Sequence, residues 1–353
     1  MPPFSKVCNR DLWGITHMEQ RPGGHMSDTS NQSGPDLDRE RVAQALGIAT
    51  DRARWRLIKS TAAREVFLLE GTDCDPLVVK YDDDVSQVRF GELLSCYRSL
   101  ERVMGRDGAF RMVPLVWADA ENRVLALKYV PGLTAYARLE AAEIDFDSRA
   151  DVLRHCGAWL RQLHQSASDT PQPFDGEGML KRVRRVAKTI RSGSQEVAYP
   201  KKFLGICAFM HHVTRGAQGR PCRHGTRHGD FHSRNVVFGR DGPLYALDPA
   251  PRDTGPVAFD VARFMTRLGY SFGLARTQTR GLAGLPAADW VALSAGYGHP
   301  CQDDPVVHFL LCHQLFNDWL QMPVEKEHRS ASQQRRIERI VSMFEVLRQQ
   351  LQT

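Results

Sequence analysis

From residue 37 onward, short apolar runs of strand length alternate with turn residues, then give way to long amphipathic segments. Trp55–Lys59, Glu65–Leu69 and Leu77–Tyr81 read as strands, with Gly71-Thr72-Asp73 turning the chain between the last two. A short helix is expected before them, over Asp36–Gly47, with Asp36 as its N-cap and Gly47 at its end. A longer helix is expected over about 85–103. Strands follow near Met112–Trp117 and Asn122–Val130, joined by the polar turn Asp119-Ala120-Glu121-Asn122. Pro131-Gly132 then breaks the pattern. Beyond it the apolar spacing changes to that of helices: Val152, Cys156, Trp159, Leu160 and Leu163 share one face over 148–165. Further helices are predicted at about 179–191, 201–213, 257–268, 287–295, 305–321 and 331–350, with loops and short strands over 227–247. The pattern predicts an α+β protein of two lobes. The first, 36–130, is a small antiparallel sheet; the second, 131–353, is large and mainly helical. A cleft between two lobes is a favoured place for a ligand.

Residues 1–35 are rich in Gly, Pro, Ser and polar residues, with no apolar core of the kind a secretory signal carries, so a disordered lead is expected. No apolar run approaches the 18 residues that would suggest a membrane span. Eight cysteines are scattered with no C-x-x-C pair, which favours free thiols and a cytoplasmic setting. The charge is uneven. Residues 181–353 hold 25 Lys+Arg against 14 Asp+Glu, while the first 180 residues are net acidic. A basic second half suits a site that handles phosphates or an anionic acceptor, and equally suits solvated helix faces.

The sharpest chemical signal is His228-Gly229-Asp230-Phe231-His232-Ser233-Arg234-Asn235, followed by the apolar run Val236-Val237-Phe238. Asp248 ends a second short apolar run, Leu244–Leu247, eighteen residues after Asp230. A carboxylate, an amide five residues on and a second carboxylate after a hairpin suit phosphoryl transfer from ATP. The attacking hydroxyl must be aimed in line with the γ-phosphate, and a carboxylate can accept its proton. The charge on the phosphate chain must be offset, which Mg²⁺ does through oxygen ligands. On this reading Asp230 aims the hydroxyl and takes its proton, and Asn235 and Asp248 hold the metal.

H-G-D-x-x-x-x-N followed by L-D-P resembles the aminoglycoside phosphotransferase and choline kinase family, which has a protein-kinase-like fold, and the resemblance covers roughly residues 37–350. Within it, Leu77–Tyr81 resembles the strand whose lysine, here Lys80, holds the α- and β-phosphates. Glu92 stands where a helix glutamate pairs with that lysine; Glu101 or an acid among Asp82-Asp83-Asp84 could pair instead. Leu125–Gly132 resembles the hinge, whose backbone over Lys128–Val130 would bond adenine. Trp159–His164 resembles a helix ending in L-x-x-L-H. Asp260, in Ala258–Ala262, resembles an aspartate that braces the catalytic loop from behind, and the resemblance gives His228 a buried, hydrogen-bonded role shaping that loop.

Three departures refine what the resemblance implies. Ser60-Thr61-Ala62-Ala63-Arg64 has no glycine, which leaves the Ser60 and Thr61 hydroxyls, backbone N–H groups and Arg64 to cover the phosphates. The loop reads H-G-D, without the arginine that answers to a phosphorylated activation segment. The stretch from Asp248 to Asp260 leaves little room for a protein-substrate platform. A small-molecule kinase using ATP and Mg²⁺ is therefore expected, with a neutral or anionic hydroxyl acceptor. A nucleotide-binding pseudokinase and a bacterial-type protein kinase are the alternatives. Cys222, His224, His228 and His232 fit no zinc spacing. The basic stretch Lys181–Lys188 has Val183, Val186 and Ile190 at helical spacing and no interleaved aromatics, so a surface helix is expected and not a nucleic-acid site.

Overall fold

The computed structural model describes residues 37–352, apart from 62, 73, 168–169, 251–253 and 276–278. The lead expected over residues 1–35 lies outside the described residues, as does Asp36; the first helix is capped by Asp38 instead, whose carboxylate accepts the Arg41 N–H. In chain order the elements begin with α1 (Arg39–Ala45), β1 (Arg54–Thr61), β2 (Arg64–Glu70), β3 (Leu77–Asp82) and α2 (Gln87–Met104). There follow β4 (Phe110–Met112), β5 (Leu115–Asp119), β6 (Val124–Lys128), β7 (Gly132–Thr134), α3 (Ala135–Ala142) and α4 (Arg149–His164). Next come β8 (Gln172–Pro173), α5 (Glu177–Arg191), α6 (Pro200–Ala217), β9 (Pro221–Cys222) and β10 (His224–Thr226). The chain ends with β11 (Val236–Gly239), β12 (Leu244–Ala246), β13 (Thr254–Pro256), α7 (Ala258–Phe272), α8 (Ala287–Tyr297), α9 (Pro305–Leu320) and α10 (Ala331–Leu351).

The chain divides into two compact units. One runs to Ala137 and includes Val237–Leu247; the other comprises Arg138–Val236 and Asp248 to the end. In the first unit, β1-β2-β3-β6-β5 form one antiparallel sheet. One face buries Phe67, Leu69, Val79 and Ala126 against α1, because side chains alternate across a pleated strand. The strand expected over Met112–Trp117 is split at Val113-Pro114, since proline cannot donate to a ladder. Its first half, β4, joins a separate four-stranded sheet of order β4-β12-β11-β7. Ser86 caps α2 by accepting the Arg89 N–H, and Gly105, at φ 72°, ends it.

The second unit is helical. Ser148 caps α4, Pro305 opens α9 behind Asp304, and a reciprocal capping box of Ser330 and Gln333 starts α10. Helices α4 and α8 pack so closely that a Cβ on Gly157 would lie 2.3 Å from the Leu293 carbonyl oxygen; one on Gly296 would lie 1.9 Å from that of Arg154. The basic helix α5 buries Leu180, Val183, Val186, Ala187 and Ile190 and turns its charges outward. The seven described cysteines are free. Among the described residues, no helix is long and apolar enough to cross a membrane.

Candidate active site

The loop between β10 and β11 is held from behind by one buried carboxylate. Asp260, in the first turn of α7, is fully buried. Its Oδ2 accepts the His228 N–H at 2.8 Å and its Oδ1 accepts the Gly229 N–H at 2.8 Å. His164, the last residue of α4, brings Nε2 within 3.2 Å of Oδ2, and its Nδ1 meets the Tyr297 hydroxyl at 2.9 Å. Burial opposes ionisation of Asp260, but the His164 bond, both histidines and the Gly229 N–H together hold its carboxyl below the ordinary range. Gly229 sits at φ 78°, where a Cβ would also press on Ala250 at 2.9 Å, so glycine is the residue this turn admits without strain.

His228 is fully buried, and its hydrogen bonds run through the backbone: N–H to Asp260, and carbonyl from the Ala250 N–H at 2.9 Å. Neither ring nitrogen has a partner among the described residues. The ring packs edge-on against Trp159 and Phe231, which stack on each other at 4.9 Å. Burial, partly offset by three nearby aspartates (Asp260, Asp230 and Asp248), pushes its pKa below the usual histidine value. It shapes the loop by volume.

Asp230 emerges at the front, its side chain 32% exposed. Arg263, one turn along α7 from Asp260, donates Nη2 and Nε to Oδ1 at 2.7 and 3.0 Å. His232 Nε2 lies 3.6 Å from Oδ2. Burial works against the charge, yet His232 and Arg263 outweigh it and keep the carboxyl far below the ordinary carboxylate range. Ser233–Asn235 form one 3₁₀ turn, in which the Asn235 N–H bonds to the His232 carbonyl. Asn235 Nδ2 donates to the Asp230 carbonyl at 3.1 Å, which turns its amide oxygen the other way. Asp248 stands at φ 56°, a left-handed conformation that costs most side chains energy and that Asp and Asn tolerate. An amide oxygen and a carboxylate are hard donors that fit Mg²⁺, which takes its remaining ligands from phosphates and water.

Residues expected to meet the nucleotide lie in the first unit. Lys80 is buried in β3, paired with Val66 on one side and Leu125 on the other. Glu92 and Glu101 lie nine residues apart on α2, about two and a half turns, and so project to opposite faces. Glu101 shares the buried face with Leu94, Tyr97 and Met104, while Glu92 is exposed. Ser60 is exposed at the end of β1; the Thr61 hydroxyl is bonded to the Arg64 backbone, and the Arg64 guanidinium grips Asp82 at 2.6 Å. Along the hinge, the Lys128 and Tyr129 N–H groups are spent on Pro114 and Pro76. Lys128 Nζ pairs with Asp75 at 2.8 Å, and Val130 is buried.

Sequence reasoning missed Arg263. Its spacing, three residues after a helix-start aspartate already set behind the loop, places both on one helix face. That was the available signal.

The profile of the "Phosphotransferase enzyme family" matches residues 54–294. No curated protein sequence matches the chain. Among solved structures, a choline kinase from Streptococcus pneumoniae is similar over 88% of this chain and 97% of its own, at 11% identity and a TM-score of 0.57. An aminoglycoside phosphotransferase from Alicyclobacillus acidocaldarius shares 14% identity over 91% of this chain and 98% of its own, with a TM-score of 0.54. A spectinomycin phosphotransferase, solved with ADP and spectinomycin, shares 12% over 87% and 93%, also at 0.54. At these identities the likeness is one of fold, and the fold is that of the small-molecule kinases.

Proposed function

The chain belongs to the phosphotransferase enzyme family, and from that premise we propose that it moves the γ-phosphoryl group of ATP onto a hydroxyl of a small molecule, with Mg²⁺. Asp230 carries the reading, being an ionised carboxylate with one oxygen tied to Arg263 and the other turned toward His232 and solvent. In this mechanism the acceptor hydroxyl lies against the less committed oxygen, Oδ2. The acceptor oxygen bonds to the γ-phosphorus, the bond from phosphorus to the β–γ bridging oxygen breaks, and ADP leaves. The hydroxyl proton passes to Asp230. A carboxylate held so acidic is a weak base, so its main work is to aim the oxygen; the proton moves late, once the new ester bond has made that oxygen acidic.

Asn235 and Asp248 are assigned to Mg²⁺, which when bound neutralises charge on the phosphates. Lys80 is assigned to the α- and β-phosphates, with Glu92 as the partner implied by the family pattern. The adenine edge is assigned to the Lys128 carbonyl and the Val130 N–H, since the intervening N–H groups are already satisfied. Asp260 and His228 keep the loop in shape.

The test is a screen of hydroxylated metabolites and antibiotics for ADP release, with Asp230→Asn as the blank. Acceptor-dependent release by the native chain and none by the variant supports the reading. Nucleotide binding without turnover across the panel, unchanged by the substitution, would identify a silent nucleotide-binding protein. Labelled phosphate on protein serine or threonine would identify a protein kinase.

A further inference from the structure

Helices α7, α9 and α10 gather three arginines around a single carboxylate. Asp318 is 1% exposed. Arg336 Nη2 reaches its Oδ1 at 2.7 Å, Arg263 Nη1 at 3.3 Å and Arg267 Nη2 at 3.8 Å. Arg263 also bonds Gln314 Oε1 at 3.2 Å, and its other two nitrogens hold Asp230. The cluster is therefore one side chain away from the aspartate assigned to the acceptor hydroxyl.

The donors there exceed the acceptors. Arg267 Nε, Arg336 Nε, Gln314 Nε2 and the Tyr270 hydroxyl are all buried without a hydrogen-bond partner among the described residues. Gln314 is 2% exposed and Tyr270 is 8% exposed, so water does not simply take the place of a partner. A buried donor left unmade is costly, and natural proteins hold few of them. Four in one cluster point to an acceptor group that belongs there. Charge tells the same story: three guanidinium groups face Asp318, and Arg263, the one that also pairs with Asp230, shares it with His232. Burial lowers the pKa of Arg267, with Asp318 opposing the shift and the neighbouring Arg263 and Arg336 adding to it. The Arg267 and Arg336 side chains are each 23% exposed, so both reach solvent beside these buried donors.

Resting on the phosphotransferase reading, we propose that the acceptor is an anionic hydroxy compound whose carboxylate or phosphate seats on Arg267 and Arg336, with Gln314 and Tyr270 donating. Its reacting hydroxyl lies at Asp230. Guanidinium forks suit both oxyanions, so the shared chemistry is a planar or tetrahedral group with two or more acceptor oxygens.

The first experiment uses the full chain and inorganic sulfate or phosphate, against chloride at equal ionic strength. Sulfate or phosphate is expected to raise the Tm by about 2–4 °C when saturating. The apparent affinity is expected to fall at least about tenfold in Arg267→Gln and in Arg336→Gln. Arg336→Lys, which keeps the charge and loses the fork, should fall between. Retained ADP binding shows that a variant is folded, and Arg267→Gln is the gentler change because its tie to Asp318 is long. No preference over chloride, or equal binding by the variants, overturns the proposal. The second experiment compares ADP release with matched acceptors: glycerate, glycerol and serinol as acid, neutral and amine, and glycerol 3-phosphate for the phosphate arm. Expected are preference for an anionic member and, in Arg267→Gln, a KM raised at least about tenfold for it with kcat little changed. Preference for glycerol or serinol, unmoved by the substitution, overturns the anionic acceptor while the kinase reading stands. Arginine-dependent sulfate binding with no ADP release for any acceptor retires the kinase reading and leaves the anion site in place.

Discussion

Two aspartates thirty residues apart, both on or against α7, are held in opposite ways. Asp260 is fully buried and spends both oxygens on backbone N–H groups of the loop and on His164. Among the described residues the Asp230 carboxylate is held by side chains, Arg263 and His232, and stays partly exposed to solvent. Backbone partners cannot leave without unfolding the turn; side-chain partners can swing aside or be replaced by a ligand. The first arrangement builds a shape. The second leaves a reactive group charged and available.

The largest expected effect separates them by function. Asp230→Asn should lower kcat by about 10²–10⁴-fold, the usual worth of a positioned proton acceptor, while Tm stays within a few degrees of native. A large loss of stability with turnover retained would erase the contrast. Asp260→Asn should do the reverse. Its amide group can accept only one of the two backbone bonds and turns a donor toward the other N–H, at a cost of about 3 kcal/mol in urea unfolding. Activity would then fall in step with the loss of loop structure.

Arg263→Gln sharpens the comparison through pH. The native carboxyl of Asp230 lies far below its ordinary 3.8, so it stays charged as pH falls through the usual carboxylate range. Removing the adjacent cation favours the protonated form, so the pKa rises and the acid limb of kcat/KM moves to higher pH. An unmoved limb would mean that Arg263 does not set the charge of Asp230. The smallest effect is at His228. Its folded pKa is depressed, so its contribution to stability is complete above 6.5 and is lost as pH falls through that value toward the folded one. His228→Phe keeps the ring packing and should flatten the fall in Tm between about pH 6.5 and pH 5. An equal slope in both proteins would place the titration elsewhere.

Much of this was legible from local pattern. The first-unit strands, the capped helices α2, α4 and α10, and the order of the loop residues all follow from periodicity, caps and spacing within a dozen or so residues. What escaped depends on distant partners. Helix α3 follows Pro131-Gly132 so closely that the break hid it, and β7 exists because it pairs with β11 about a hundred residues later. The split at Pro114 is a choice between two sheets that no single window contains. The arginine cluster joins residues 263, 267, 318 and 336, each an ordinary charge on an amphipathic helix until the three helices are packed. For His228 the resemblance implies a buried, hydrogen-bonded residue without saying whether backbone or ring makes the bonds; only the surrounding aromatic cage shows that the ring acts as a hydrophobe.

Asp248 carries a consequence for how this protein can change over generations. Its backbone lies in a region open to few side chains, chiefly Gly, Asn and Asp. Asn and Gly are each one base substitution from either aspartate codon. The mutations that the backbone forgives most readily at 248 are thus the ones that delete the charge. A lineage can lose its proposed cation ligand in a single step and keep its fold, so catalytically mute descendants should be easy to produce.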